Sequence, residues 1–188
     1  MSDNFKILKK QQLAPGIKRM VISAPLIANK AKIGQFAIFR VDEYGERFPL
    51  TLVNWDANEG TVTVIFQEVG VSTKKLGMLK VGDCIKDIFG PLGTPSEIKK
   101  YGDVAVIGGG VGTALMYPQV SALKKAGNRV VSILGSRTAE LLLLEKELAE
   151  ISDELYISTD DGTRGYKGFT SDVMKNLLNV GRRFDYVF

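Results

Sequence analysis

Residues 106–118 read VIGGGVGTALMYP: an apolar run, three consecutive glycines, a fourth after Val111, and then helix-forming residues. A glycine turn between a strand and a helix lets backbone N–H groups and the positive helix end meet an anion with no side chain in the way. The common dinucleotide fingerprint needs Gly-x-Gly-x-x-Gly and an acidic residue about twenty positions on. Gly108 and Gly110 fit it, but Thr113 stands where the third glycine belongs, and the next apolar run ends in Gly135-Ser136-Arg137 with no carboxylate. By itself the stretch is as well read as a tight structural turn.

Its surroundings are periodic. DVAVI from Asp103 reads as a buried strand, TALMYPQVSALKKAG as a helix closing on Gly127, and RVVSILG as a second strand. AELLLLEKELAEI reads as one helix, ELYIST as a strand, FTSDVMKNLLNV as a helix and FDYVF as a last strand. Strand and helix alternating at this spacing predict a parallel sheet covered by helices. Upstream the rhythm differs. KRMVISAP, GQFAIFRVD, PLTLVNW and GTVTVIFQEV are β-branched and partly alternating, as half-buried strands are. Turn chemistry separates them at Ala14-Pro15-Gly16, Glu43-Tyr44-Gly45 and Ala57-Asn58-Glu59-Gly60. STKKLGML predicts a short helix with Ser72 or Thr73 as N-cap. Strands at this spacing suggest a small barrel or sandwich. The expected organisation is therefore two domains, residues 1–95 and 96–188, joined through GPLGTPSEIKK.

Composition excludes several classes. A net charge of +4 with basic and acidic residues interspersed does not suggest nucleic-acid binding. There is no histidine, so His-dependent triads are absent, and the single cysteine, Cys84, cannot form an internal disulfide or hold a metal cluster. Cys84 itself is expected as a small buried apolar residue. The start, MSDNFKILKK, has no apolar signal core, and Leu141 to Leu144 is too short to span a membrane. A cytoplasmic protein without membrane insertion is expected.

Six pieces taken in order carry a resemblance: ERFPLT (46–51), IFQEVGVST (65–73), IFGPLG (88–93), GGGVG (108–112), LGSRTAEL (134–141) and STDDGTRGYKGFTSDV (158–173). Over essentially its whole length the chain resembles the ferredoxin–NADP reductase superfamily. More narrowly it is similar to the flavin subunits that pass electrons between nicotinamide and iron–sulfur partners. These are the electron-transfer subunit of dihydroorotate dehydrogenase, the small (alpha) subunit of NADH-dependent ferredoxin:NADP oxidoreductase (sulfide dehydrogenase), and the gamma subunit of cytoplasmic hydrogenases.

The resemblance implies an antiparallel flavin-binding β-barrel followed by an α/β parallel-sheet nucleotide-binding domain that is C-terminally incomplete. Pro49, Leu50 and Thr51 would lie along the flavin of FAD, with Arg47 toward its diphosphate, although the family's arginine stands one position nearer the hydroxyl residue. Gly70, Ser72 and Thr73 would form the diphosphate turn, and Ile65, Phe66 and Gln67 the strand beneath the ribityl or adenosine part. Gly108, Gly109, Gly110, Val111 and Gly112 would face the nicotinamide nucleotide, with Ser136 and Arg137 after the second strand. Asp160 and Asp161 stand where NADPH-selecting relatives carry serine and arginine, which implies NAD(H) in preference to NADP(H). Relatives continue past the last strand into a cysteine-rich tail, so a 2Fe–2S cluster is expected only in a missing C-terminal part. The implied partners are an iron–sulfur or flavoprotein subunit and a ferredoxin-like acceptor. Hydride transfer by stacking needs no protein acid or base, and no catalytic side chain or metal ligand is expected here. Two other readings stay open: a scaffold or regulatory subunit that keeps the fold without flavin, and an unrelated nucleotide-using α/β enzyme.

Overall fold

A computed structural model describes residues 5–188. The chain divides into two compact units after Ser96.

The first unit is built from β1 (Phe5–Ala14), β2 (Ile17–Ser23), the short helix α1 (Pro25–Ala28), β3 (Phe36–Arg40), β4 (Phe48–Thr51), β5 (Asn54–Asp56), β6 (Thr61–Gln67), helix α2 (Val71–Met78), β7 (Cys84–Ile85) and β8 (Asp87–Leu92). Two antiparallel sheets, ordered β5-β6-β2-β1-β7 and β4-β3-β8, close over one core in a barrel-like arrangement, as expected. Because successive strand residues face opposite ways, register decides what fills it. Ile22 pairs with Ile7 and with Val62, and Met20 with Val64, so one face of three strands turns inward together. Phe39, Phe66 and Leu76 complete that core. Gln35, buried, receives the Lys32 N–H and donates to the Gly93 carbonyl, both at 2.9 Å, and so pins the exit of β8 to the entry of β3.

Local departures have local causes. PLTLVNW is not one strand but two: Leu52 and Val53 turn into the core and leave the ladder between β4 and β5. GPL, expected as linker, is still part of β8. The strand β1 lies beneath a run of charges that conceals its alternation in the sequence. Cys84 is exposed rather than buried, because successive strand residues face opposite ways and its neighbour Ile85 takes the inward position.

The second unit comprises β9 (Asp103–Gly109), a 3-10 turn (Gly110–Leu115), α3 (Met116–Lys125), β10 (Arg129–Ser136), a 3-10 turn (Ala139–Leu141), α4 (Glu145–Ile151), β11 (Glu154–Thr159), β12 (Tyr166–Lys167), α5 (Thr170–Asn179) and β13 (Tyr186–Val187). The sheet is parallel, ordered β12-β11-β10-β9-β13. Val120 and Leu123 of α3 and Leu148 of α4 pack on Val104, Val106, Val130 and Leu134. The next residue of β10, Gly135, faces Thr170 of α5, so α5 covers the opposite face. Strand order reverses at β9, which places a crevice at the carboxyl end of that strand. Asn128 ties the closed end together: its Oδ1 accepts from Tyr101 and Gly102, and its Nδ2 donates to Lys99 and Leu123 carbonyls. AELLLLEKELAEI, expected as one helix, breaks at Leu144, whose φ of 59° is left-handed and stops the first turn from continuing into α4.

Candidate functional site

In the barrel unit the positioned element is α2. Gly70 is its N-cap, not Ser72 or Thr73. Thr73 instead reaches back: its Oγ1 accepts from Val69 N–H at 3.1 Å and Gly70 N–H at 3.0 Å. That arrangement fixes the helix entry and leaves the first-turn N–H groups without intrahelical acceptors. The other end is held by cations. Lys10 Nζ donates to the carbonyls of Gly77 and Leu79 at 2.6 Å, and Lys18 Nζ donates to Gly77 at 2.8 Å and to Glu68 at 2.7 Å. Burial, and then neighbouring Lys18, hold the Lys10 ammonium below the usual lysine range. Cations on the last carbonyls complement the helix dipole and leave the positive end free for an anion.

That end borders a cavity of about 250 Å³ lined by Val41, Tyr44, Gly45, Glu46, Val71, Ser72 and Lys75. The cavity joins the segment before β4 to the start of α2, so Glu46 of ERFPLT and Ser72 meet there. Pro49 lies exposed on β4, an edge strand where its missing N–H costs no ladder bond. Leu50 and Thr51 are half-buried, and Arg47 is exposed. Of the β6 residues, Phe66 is buried in the barrel core, Ile65 is buried, and Gln67 is half-buried at the strand end.

In the second unit the glycines divide by role. Gly108 is a close approach: a Cβ there would stand 2.5 Å from Met116 Sδ and 3.2 Å from Thr113 Cα. Gly110 has φ +55°, a left-handed conformation that favours glycine. Gly109 and Gly112 are constrained by neither, because a Cβ at Gly112 meets nothing within 4 Å and one at Gly109 meets only the Gly135 carbonyl at 4.0 Å. Val111 between them is half-buried. The turn therefore presents open backbone at the carboxyl end of β9, ahead of α3.

Beside it a second cavity of about 250 Å³ is lined by Gly109, Gly110, Gly135, Ser136, Arg137, Ser158, Asp160, Phe169 and Thr170. Ser136, Arg137 and Asp160 were expected in such a place. Asp161 is turned into its own loop, where it accepts the Thr163 N–H at 3.0 Å and hydroxyl at 2.7 Å; these bonds hold its carboxyl below the usual range. Ser136 Oγ is likewise engaged, donating to the Thr138 carbonyl at 2.6 Å. Ser158, Phe169 and Thr170 were not anticipated from the sequence. Parallel register brings Ser158 beside Gly135, and α5 brings Phe169 and Thr170 over it. The signal for Ser158 was its place one residue inside the end of β11, level with Gly135, itself one residue inside the end of β10.

No family model matches the chain. A dihydroorotate dehydrogenase B (NAD(+)) electron transfer subunit homolog of Thermotoga maritima is 43% identical over 180 residues, covering 96% of this chain and 63% of the relative. A dihydroorotate dehydrogenase B (NAD(+)) electron transfer subunit of Bacillus cereus is 33% identical over 98% of this chain and 72% of its own length. The chain belongs to this family of electron transfer subunits. It spans a little under two thirds of the Thermotoga relative. Among solved structures, the NADH-dependent reduced ferredoxin-NADP oxidoreductase, a flavin-based electron-bifurcating protein, superposes with a TM-score of 0.90 at 41% identity, covering 100% of this chain and 67% of that one. Phthalate dioxygenase reductase, at 17% identity, a TM-score of 0.72 and coverage of 97% and 66%, shares the ferredoxin-reductase-like fold.

Proposed function

We propose that the chain is the flavin-bearing reductase part of an electron-transfer subunit, carrying FAD on the barrel unit and NAD(H) on the parallel-sheet unit. The observation that carries this is the paired provision for dinucleotides. Each unit offers the start of a helical turn beside a cavity, that of α2 in the first and the 3-10 turn from Gly110 in the second, where the glycines have open space above them. FAD would supply a centre able to take a hydride pair and release electrons singly.

The residues have distinct tasks. The α2 start and Ser72 hold the diphosphate, Thr73 fixes that start, and Arg47 adds positive charge. Pro49, Leu50 and Thr51 offer an apolar edge and one hydroxyl to the flavin ring, with Gln67 nearby in the barrel. Gly109, Gly110 and Gly112 let the nicotinamide nucleotide lie against bare backbone, which close-range hydride transfer requires. Asp160 favours NADH, since a carboxylate accepts from a free ribose 2′-hydroxyl and repels a 2′-phosphate. One cysteine cannot hold an iron–sulfur cluster, so the acceptor centre lies outside these residues, on a partner subunit or ferredoxin-like protein, in the cytoplasm. No described helix is long and apolar enough to cross a membrane.

Purified protein should carry flavin absorbance and release FAD, not FMN, on denaturation. NADH should bleach that absorbance faster than NADPH at equal concentration. Colourless protein that takes up no added FAD refutes the function, and a preference for NADPH refutes the role of Asp160.

A further inference from the structure

The outer face of the β1–β2 hairpin carries a further cavity, of about 190 Å³, lined by Lys9, Lys10, Gln11, Arg19 and Val21. Arg19 and Val21 flank Met20, which is fully buried, so both point away from the barrel core. Register supplies the other strand: Lys9 pairs with Val21 and Gln11 with Arg19. Lys9 and Arg19 therefore stand on one diagonal of a four-residue square, close enough for long side chains to meet over it. No carboxylate lines the cavity.

Among the described residues nothing neutralises these two cations. Lys10 is spent on the Gly77 and Leu79 carbonyls, Glu68 on Lys18, and Asp83 on the Lys80 N–H. Lys9 and Arg19 form no ion pair or side-chain hydrogen bond among the described residues. The Arg19 Nε is also buried, so its N–H has neither water nor an acceptor. A charged donor left in that state is costly, and native proteins contain few of them. The cavity is separate from the proposed flavin site. Lys10 binds the last carbonyls of α2, whereas the diphosphate cavity borders that helix's start, about 12 Å of helix away.

Two unspent cations, one of them a guanidinium fork, call for a small anion with two negative charges and several acceptor oxygens. A phosphate group has both. The volume is below that of sites for drug-sized ligands, and lysine is depleted from the cores of protein interfaces, so a free ion suits the cavity better than a docked protein surface. We infer that the β1–β2 cavity binds inorganic phosphate or the phosphate group of a small monoester. Arg19 turns its fork onto two of the oxygens, and Lys9 takes a third. This inference does not rest on the flavin function proposed above.

The test is calorimetric titration with inorganic phosphate, at constant ionic strength in chloride, of FAD-supplemented wild type, Arg19→Gln, Lys9→Gln and Lys6→Gln. Lys6 is an exposed cation of the same strand outside the cavity. Wild type should bind. Arg19→Gln should bind at least about tenfold more weakly, and Lys9→Gln about three- to tenfold, as lost charge-assisted hydrogen bonds dictate. Lys6→Gln should match wild type. In phosphate-free melts the Tm of Arg19→Gln should hold or rise, because the N–H removed had no partner; if it falls, the exposed Lys9→Gln decides alone. A wild type that binds no phosphate overturns the inference. So does equal affinity in wild type, Arg19→Gln and Lys9→Gln, which marks an adventitious ion only. An equal loss in Lys6→Gln also overturns it, since surface charge then explains the binding. A parallel titration with a glutamate-rich peptide completes the test: binding of the peptide but not of phosphate assigns the cavity to an acidic partner and overturns the inference.

Discussion

Alanine at Gly112 or Gly109 separates a glycine turn made for a ligand from one made for the fold. Neither position needs glycine for its own conformation. Gly109 has φ −128°, and a methyl at Gly112 enters empty space. Replacing glycine at such sites reduces the freedom of the unfolded chain and stabilises by about 0.4–1 kcal/mol. For a unit of this size that is a rise of roughly 2–8 °C in Tm. Gly110, at φ +55°, is the control: alanine there meets left-handed strain of roughly 1–2 kcal/mol, and Tm should fall. The functional expectation runs the other way. A methyl on the bare backbone would displace the nicotinamide by about the 1 Å that costs on the order of a hundredfold in rate. Stopped-flow reduction of bound FAD by NADH should therefore slow by that order in Gly112→Ala and Gly109→Ala. Flavin content should be unchanged, since its proposed contacts lie in the barrel. Variants that melt higher yet reduce flavin at the wild-type rate and NADH dependence would make the turn purely structural.

Two further outcomes follow from the hydrogen bonds. Thr73→Ala removes the acceptor of the Val69 and Gly70 N–H groups; it should cost about 1 kcal/mol, as lost helix caps do, and weaken FAD binding, with Thr73→Ser restoring both in a melt and a flavin titration. Glu154 accepts from Tyr156 at 2.7 Å and Arg182 at 2.6 Å and pairs with Arg129, and these contacts, the Tyr156 hydroxyl first, hold its carboxyl below the usual range. A depressed carboxylate contributes stability that is complete above its ordinary value near pH 4.5 and is lost as pH falls through the lower folded value. Glu154→Gln should therefore lower Tm at pH 7 by the equivalent of up to about 1 kcal/mol after solvent screening, and the difference from wild type should shrink on acidification; a difference that is constant across pH refutes the assignment.

How much of this was legible in the sequence depends on the kind of signal. The parallel unit could be read because β9, β10 and β11 are short apolar runs separated by helical patterns, and the glycines stand where strand meets helix. The barrel could be read from its turns, of which Ala14-Pro15-Gly16 is typical, with Gly16 at φ +67°. Concealment came where side chains serve two purposes. Lysines 6, 9 and 10 disguise β1, although Lys10 runs to the α2 carbonyls rather than to water. Ser72 and Thr73 are adjacent hydroxyls at a helix start, and spacing alone does not say that Thr73 caps backward while Ser72 faces the cavity.

The second cavity shows a deeper reason. Its residues come from β9, β10, β11 and α5, and what unites Gly109, Gly135 and Ser158 is the register of a parallel sheet, which no local pattern encodes. Motifs record residues close in the chain, whereas a site at the carboxyl ends of parallel strands collects one or two residues from each strand. The glycines were found because they cluster; Ser158 was not, because it stands alone between Ile157 and Thr159. A fold that binds through backbone N–H groups, bare glycines and single hydroxyls, and contains no histidine, leaves few side-chain signatures. Its binding residues become visible only when the sheet brings them level.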